Sequence, residues 1–194
     1  MAIVGPVTEK LVNFFQSQTW VKFLETLTGI PNLMIDPALW GAGPFSIATA
    51  GYLSLHTDFN RHKTSDGKFV TQWRRINVLL YLNEDWKEEY GGSFELWKTD
   101  EKYSTIDYIK KVVPQFNRMA IFSVTDISIH GHLDLVNHPS GENRKSISMY
   151  YYTPNINDEP LISANYHESL YIPGAWKSRS TNRSRTAISK IIIP

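Results

Sequence analysis

His56 and Asp58 stand two residues apart at the end of an alternating run, GYLSLHTDFN, residues 51–60. Two residues is one strand repeat, so an imidazole and a carboxylate point to the same side. Such a pair is either a polar strand end in water or two-thirds of a metal-binding set. A third donor would come from far along the chain, and DISIHGHLDLVNH offers His130, His132 and His138. Two histidines and one carboxylate suit non-haem Fe(II) and leave positions open for a cosubstrate and O2. A His-x-Asp pair alone is a weak signal. It gains weight from the distal histidines and from Arg144, which follows His130 by one strand.

Bulk properties narrow the chemistry. The 194 residues suit one domain with a real core. Hydrophobic content is 42% and aromatics reach 13%, which favours pleated surfaces and pocket walls over disorder. A net charge of +1 gives no global pull toward nucleic acid or acidic membranes. The absence of cysteine removes disulfides, thiolate catalysis, iron–sulfur clusters and cysteine zinc sites. No segment approaches a membrane-spanning apolar run, and MAIVGPVTEKLVNFFQSQ lacks the basic-then-apolar order of a secretory leader. The expectation is a soluble cytoplasmic protein.

The elements that must position these residues are mostly strands. Residues 8–29 read as helical, with Trp20, Phe23, Leu24 and Leu27 on one stripe and Gly29 and Pro31 as the stop. Eight short candidate strands follow: FSIATA, YLSLH, RRINVLLYLN, SFELW, KKVVP, MAIFSV, ISIHGHL and RKSISMYYYT. Turn formers separate them. The fold class expected is mainly β with N-terminal helices, as a sandwich or jelly roll with the helices on one sheet. The tail from Trp176 to Pro194 carries five cations and no acid, and reads as a solvated extension.

Strand parity separates two faces. RRINVLLYLN places Ile76, Val78, Leu80 and Leu82 on one side and Arg75, Asn77, Leu79 and Tyr81 on the other. RKSISMYYYT places Arg144, Ser146, Ser148 and Tyr150 together. Burying unpaired polar groups costs about 1–3 kcal/mol each, so the mixed faces look either at water or into a wet ligand cavity. Tyr, Ser, Asn and Arg mixed with Leu79 read as a pocket wall.

Taken together, HTD, RRINVLLYLNEDWKEEYGGSFELW, VVPQFNRMAIFSV, HGHLDLV and RKSISMYYY resemble the Fe(II)- and 2-oxoglutarate-dependent dioxygenases, in particular the prolyl-4-hydroxylase-like group. The likeness covers about residues 50–153. It implies a double-stranded β-helix over about 44–153, supported by helices at 8–30, with the whole chain as one domain. It implies His56, Asp58 and His130 as the catalytic iron ligands, with His132 as the alternative distal ligand and His138 on the surface. It implies Arg144 as the partner of the distal carboxylate of 2-oxoglutarate, Ser148 and Tyr81 beside that carboxylate, Asn77 and Leu79 as cosubstrate walls, and Gly91 and Gly92 where backbone comes close.

The cofactors implied are Fe(II), 2-oxoglutarate and O2, with ascorbate as an accessory reductant. The reaction implied is hydroxylation of an unactivated C–H bond with succinate and CO2 as coproducts. The expected substrate is a prolyl or other peptide residue. A small molecule is the alternative substrate, and a cupin-like module without turnover is the alternative class. The loops near Trp40 and around 60–73 are candidates for a lid. A nucleic-acid partner and a membrane are not expected; a homodimer is compatible with the short N-terminal helices.

Overall fold

The computed structural model describes residues 5–63, 69–99, 105–156, 162–163, 167–172 and 191–192. The basic tail falls largely outside these residues, as does the centre of the 60–73 loop.

The helical segment is two helices, α1 (Pro6–Phe15) and α2 (Gln18–Thr28). Ser17 breaks the continuous helix expected from periodicity: its side chain accepts from the Trp20 backbone N–H and starts α2 as an N-cap. Gly29 ends α2 in the left-handed conformation. The buried stripe is Trp20, Val21 and Leu24, whereas Phe23 and Leu27 are 49% and 56% exposed. Trp20 and Leu24 of the expected stripe are buried, and Val21 takes the place of Phe23 and Leu27 beside them.

Among the described residues twelve strands follow: β1 (Met34–Ile35), β2 (Gly43–Ile47), β3 (Leu53–Thr57), β4 (Arg61–Lys63), β5 (Phe69–Tyr81), β6 (Phe94–Thr99), β7 (Thr105–Val112), β8 (Met119–Ser123), β9 (Ile129–His132), β10 (Arg144–Thr153), β11 (Leu170–Tyr171) and β12 (Ile191–Ile192). The larger sheet runs β12-β2-β10-β5-β4, with β1 on β10 and β8 on β5. The smaller runs β11-β3-β9-β6-β7. The chain crosses repeatedly from one sheet to the other, β2 to β3 to β4–β5 to β6–β7 to β8 to β9 to β10. That winding is the double-stranded β-helix form of the jelly roll. Among the described residues no helix is long and apolar enough to cross a membrane.

Parity sorts the core as expected. Ile76, Val78 and Leu80 of β5 and Ile147, Met149 and Tyr151 of β10 pack with Phe15, Trp20, Val21 and Leu24 of the helices. Full burial of a large aliphatic or aromatic side chain is worth about 1.5–3 kcal/mol, so this layer fixes the helices to the outside of the larger sheet. The opposite faces of β5 and β10 turn toward the smaller sheet and are left to line a cavity.

Candidate metal centre and anion anchor

A cavity of ≈ 390 Å³ lies between the sheets, with walls from β2, β3, β5, β9 and β10. The ligand-capable atoms of His56, Asp58 and His130 lie within 4.8 Å of one another inside it. His56 Nε2 is 3.7 Å from Asp58 Oδ1, and His130 Nε2 is 3.3 Å from Asp58 Oδ2. His56 sits opposite His130 in the β3–β9 register, so residues 74 positions apart meet across one strand pair.

Each histidine is aimed by its own strand. His56 Nδ1 is 2.8 Å from the Ser54 carbonyl and His130 Nδ1 is 2.9 Å from the Ser128 carbonyl. A carbonyl only accepts, so Nδ1 carries the proton in both rings and Nε2 presents its lone pair. Burial, with the neighbouring His130, lowers the His56 pKa to about 4, leaving that imidazole neutral at neutral pH. Burial alone would raise Asp58. The Arg74 charge, then His130 and His56, then a hydrogen bond from Asn77, outweigh it and hold the carboxyl at about 2. One ionised carboxylate and two imidazoles with outward Nε2 atoms form a donor set that suits Fe(II).

Gly131 makes the two strands fit. A Cβ there would come within 2.6 Å of the Leu53 carbonyl oxygen and 3.0 Å of that of Ser54. The β3–β9 register shifts between Leu53 and His56, and the bare backbone of Gly131 lies against this irregularity. His130 and His132 thereby both line the cavity, yet only His130 joins the cluster. His132 faces Leu53 instead. His138 is half-buried between Trp86 and Tyr90, with ring centroids 5.1 and 4.6 Å away.

Arg144 lines the same cavity and is 5% exposed. Its Nε donates to the Gly92 carbonyl at 2.6 Å, and its guanidinium carbon is 5.0 Å from the Tyr81 ring centre. Among the described residues no carboxylate pairs with it. A buried cation without an anion is expensive, and here burial lowers the Arg144 pKa. The Tyr81 hydroxyl is buried beside it, and burial raises its pKa against the charge and hydrogen bond of Arg144. Ser146 and Ser148 share this wall. An uncompensated guanidinium is what a bound carboxylate would satisfy. Gly92 is the seat of this anchor: at φ +67, its Cβ would stand 2.8 Å from Arg144 Cδ. Gly91 likewise abuts the Leu135 carbonyl oxygen, 2.0 Å from where its Cβ would be.

Asn77 and Leu79 line the cavity as parity predicts. Tyr81 is fully buried and is not on the cavity wall itself; it acts on Arg144 from behind. Arg75, expected on the cavity face, is not there. Arg74 is, because the β5–β10 register slips between Tyr151 and Tyr152 and one extra residue of β5 is accommodated. Arg74 Nη2 lies 3.2 Å from Asp58 Oδ2 and its Nε donates to Asn77 Oδ1. Tyr171 is a second residue that sequence reasoning missed. Its ring stacks on His56 at 5.2 Å and 28° while remaining 58% exposed, so it closes one side of the mouth. Trp40 packs on Phe59, which itself lines the cavity.

Residues 45–152 match the family model described as the 2OG-Fe(II) oxygenase superfamily. The chain is 31% identical over 99 residues to the prolyl 3-hydroxylase OGFOD1 of Mus musculus, covering 48% of this chain and 18% of that protein. The Xenopus laevis protein of the same name is 29% identical over 79 residues, covering 41% and 15%. The aligned part is thus less than a fifth of those relatives' length. Among solved structures, a prolyl 4-hydroxylase from Phytophthora capsici superposes with a TM-score of 0.46 at 20% identity, over 73% of this chain and 41% of that one. One from Pseudomonas putida gives 0.42 at 15%, over 70% and 60%.

Proposed function

We propose, from the premise that the chain belongs to the 2OG-Fe(II) oxygenase superfamily, that it is a hydroxylase dependent on Fe(II) and 2-oxoglutarate, acting on a peptide or protein residue, with prolyl as the first candidate. The observation that carries this reading is the pairing, in one cavity, of a three-donor cluster with a buried guanidinium that lacks an anion. A cupin-like metal site has use for the cluster and none for Arg144. The peptide class is supported by the prolyl hydroxylases among the relatives.

In this reading His56, Asp58 and His130 hold the iron. Arg144, backed by Tyr81 and with Ser148 beside it, holds the distal carboxylate of 2-oxoglutarate, and Asn77 and Leu79 wall its path. When bound, iron, 2-oxoglutarate and O2 together supply oxidative decarboxylation to succinate and CO2 coupled to hydroxylation of a C–H bond. The protein's share is orientation and exclusion of water. The two strand carbonyls fix the imidazole tautomers. Arg74 and Asn77 keep Asp58 ionised and aimed. Phe94 and Phe122, 5.8 and 4.7 Å from His130 between ring centres, make the inner wall apolar. Tyr171, Tyr52 and Phe59 line the cavity too and offer aromatic surface on which a prolyl ring can pack.

Anaerobic addition of Fe(II) and 2-oxoglutarate should give a visible charge-transfer band. A succinate-release screen over proline-containing peptides, amino acids, sugars and nucleosides then reads the substrate class. Neither band nor succinate from iron-loaded protein would overturn the reading. Turnover on a small molecule alone would replace the peptide part of it.

A further inference from the structure

His132 is the one polar side chain on the inner wall of β9 without a task. It is 2% exposed, it lines the cavity, and neither ring nitrogen has a side-chain hydrogen-bond partner. It does not join the metal cluster. Along β9 it lies one strand repeat beyond His130 on the same face, opposite Leu53. It shares the cavity wall with Arg144. A neutral imidazole keeps one N–H to donate, and a carboxylate accepts at up to four positions. Arg144 has committed its Nε to Gly92, which leaves its terminal nitrogens for an anion.

We propose that His132 is a cosubstrate-binding residue that donates, with Arg144, to the distal carboxylate of 2-oxoglutarate and so selects a dicarboxylic keto acid over a monocarboxylic one. The inference rests on the 2-oxoglutarate reading above and adds a residue to it. A histidine on this wall offers an N–H to a hydrogen-bonding group that enters the cavity, which an apolar side chain would not. The side of the cavity bearing Arg144, Ser146 and Ser148 is where that ligand's charge is balanced.

The test uses the full chain, loaded anaerobically with Fe(II), and compares two keto acids. 2-Oxoglutarate has the distal carboxylate; 2-oxobutyrate has the same keto-acid head without it. Binding is read by the charge-transfer band, and iron affinity is measured separately. His132→Phe should weaken 2-oxoglutarate about tenfold, which is about 1.4 kcal/mol, and leave 2-oxobutyrate and iron unchanged. His132→Asn and His132→Gln place an amide N–H near the two ring nitrogen positions, and one of them should recover most of the loss. His132→Leu serves if the Phe variant does not fold. Equal weakening of both keto acids, or no weakening of either, overturns the assignment while the 2-oxoglutarate reading stands. Wild-type protein that binds iron but gives no band with 2-oxoglutarate overturns both.

Discussion

Arg74 Nη2 sits 3.2 Å from Asp58 Oδ2, while its guanidinium centre lies 3.5 Å from the middle of the Tyr150 ring and 4.5 Å from that of Phe59. Asn77 Nδ2 reaches the same carboxylate oxygen at 2.7 Å. The proposed metal ligand is thereby held by a buried ion pair whose cation is itself clamped between aromatic faces.

Removing one partner of a buried pair strands the other, at a typical cost of about 3–5 kcal/mol. Arg74→Met should therefore destabilise the metal-free protein by about 3 kcal/mol and weaken Fe(II) as Asp58 loses its charge partner. Adding Asp58→Asn should restore part of the stability and none of the iron binding. Chemical denaturation and iron titration of the two variants separate these effects. If the double variant is less stable than Arg74→Met, the pairing is not what holds this part of the barrel.

The two cavity glycines should fail in different ways. Gly92→Ala forces a side chain into a left-handed backbone against Arg144 Cδ, with strain of about 1–3 kcal/mol. The anchor moves, so 2-oxoglutarate affinity should fall more than tenfold and iron affinity little. Gly131→Ala instead presses on the Leu53 carbonyl oxygen and parts β9 from β3, so iron affinity should fall first. Arg144→Lys belongs with Gly92→Ala, because a point charge cannot keep the Gly92 bond and still present two parallel donors. Iron and 2-oxoglutarate titrations of all three variants check the pattern.

How much of this could be read beforehand follows from which residues act locally. Strand parity placed Asn77, Leu79, Ser148 and Arg144 on one wall and Ile76, Val78 and Leu80 on the other, since period two survives burial. It failed at Arg74 and Arg75, where a slipped register reverses the alternation, and two adjacent arginines carry no sign of which one turns inward. Parity cannot tell His130 from His132 because they share a face, and only the family resemblance favoured His130. Only the opposing strand, with His56 facing one and Leu53 the other, tells them apart. Tyr171 had no signal at all, being 115 positions from the ring it stacks on.

Acid should weaken the metal-free fold. His56 titrates near 4 when folded and near 6.5 when unfolded, and His132 is likewise held well below 6.5 by burial and then by Arg144. The unfolded chain then binds more protons between these values, so stability is full above about pH 6.5 and is lost as pH falls toward 4. A shift of this size corresponds to on the order of 3 kcal/mol for His56. Denaturation midpoints of the metal-free protein at pH 7, 6 and 5 should decline, and His132→Phe should flatten the decline. A midpoint independent of pH over this range would contradict the burial of both rings.

The helix layer should be separable from the chemistry, although Tyr151 sits next to a cavity residue in sequence. Its hydroxyl accepts from Trp20 Nε1 at 2.7 Å and donates to the Phe15 carbonyl at 2.9 Å, tying both helices to the outer face of β10. Tyr150, one residue earlier, points into the cavity. Tyr151→Phe leaves a buried indole N–H and a carbonyl unpaired, so stability should fall by about 1–3 kcal/mol, with 2-oxoglutarate and iron affinities unchanged. Tyr150→Ala removes a wall of the Arg74 clamp and should disturb iron binding as well. Thermal melts and ligand titrations on the two neighbours give opposite patterns only if the strand's alternation divides support from chemistry; the same pattern from both would mean that the two faces of β10 are energetically coupled.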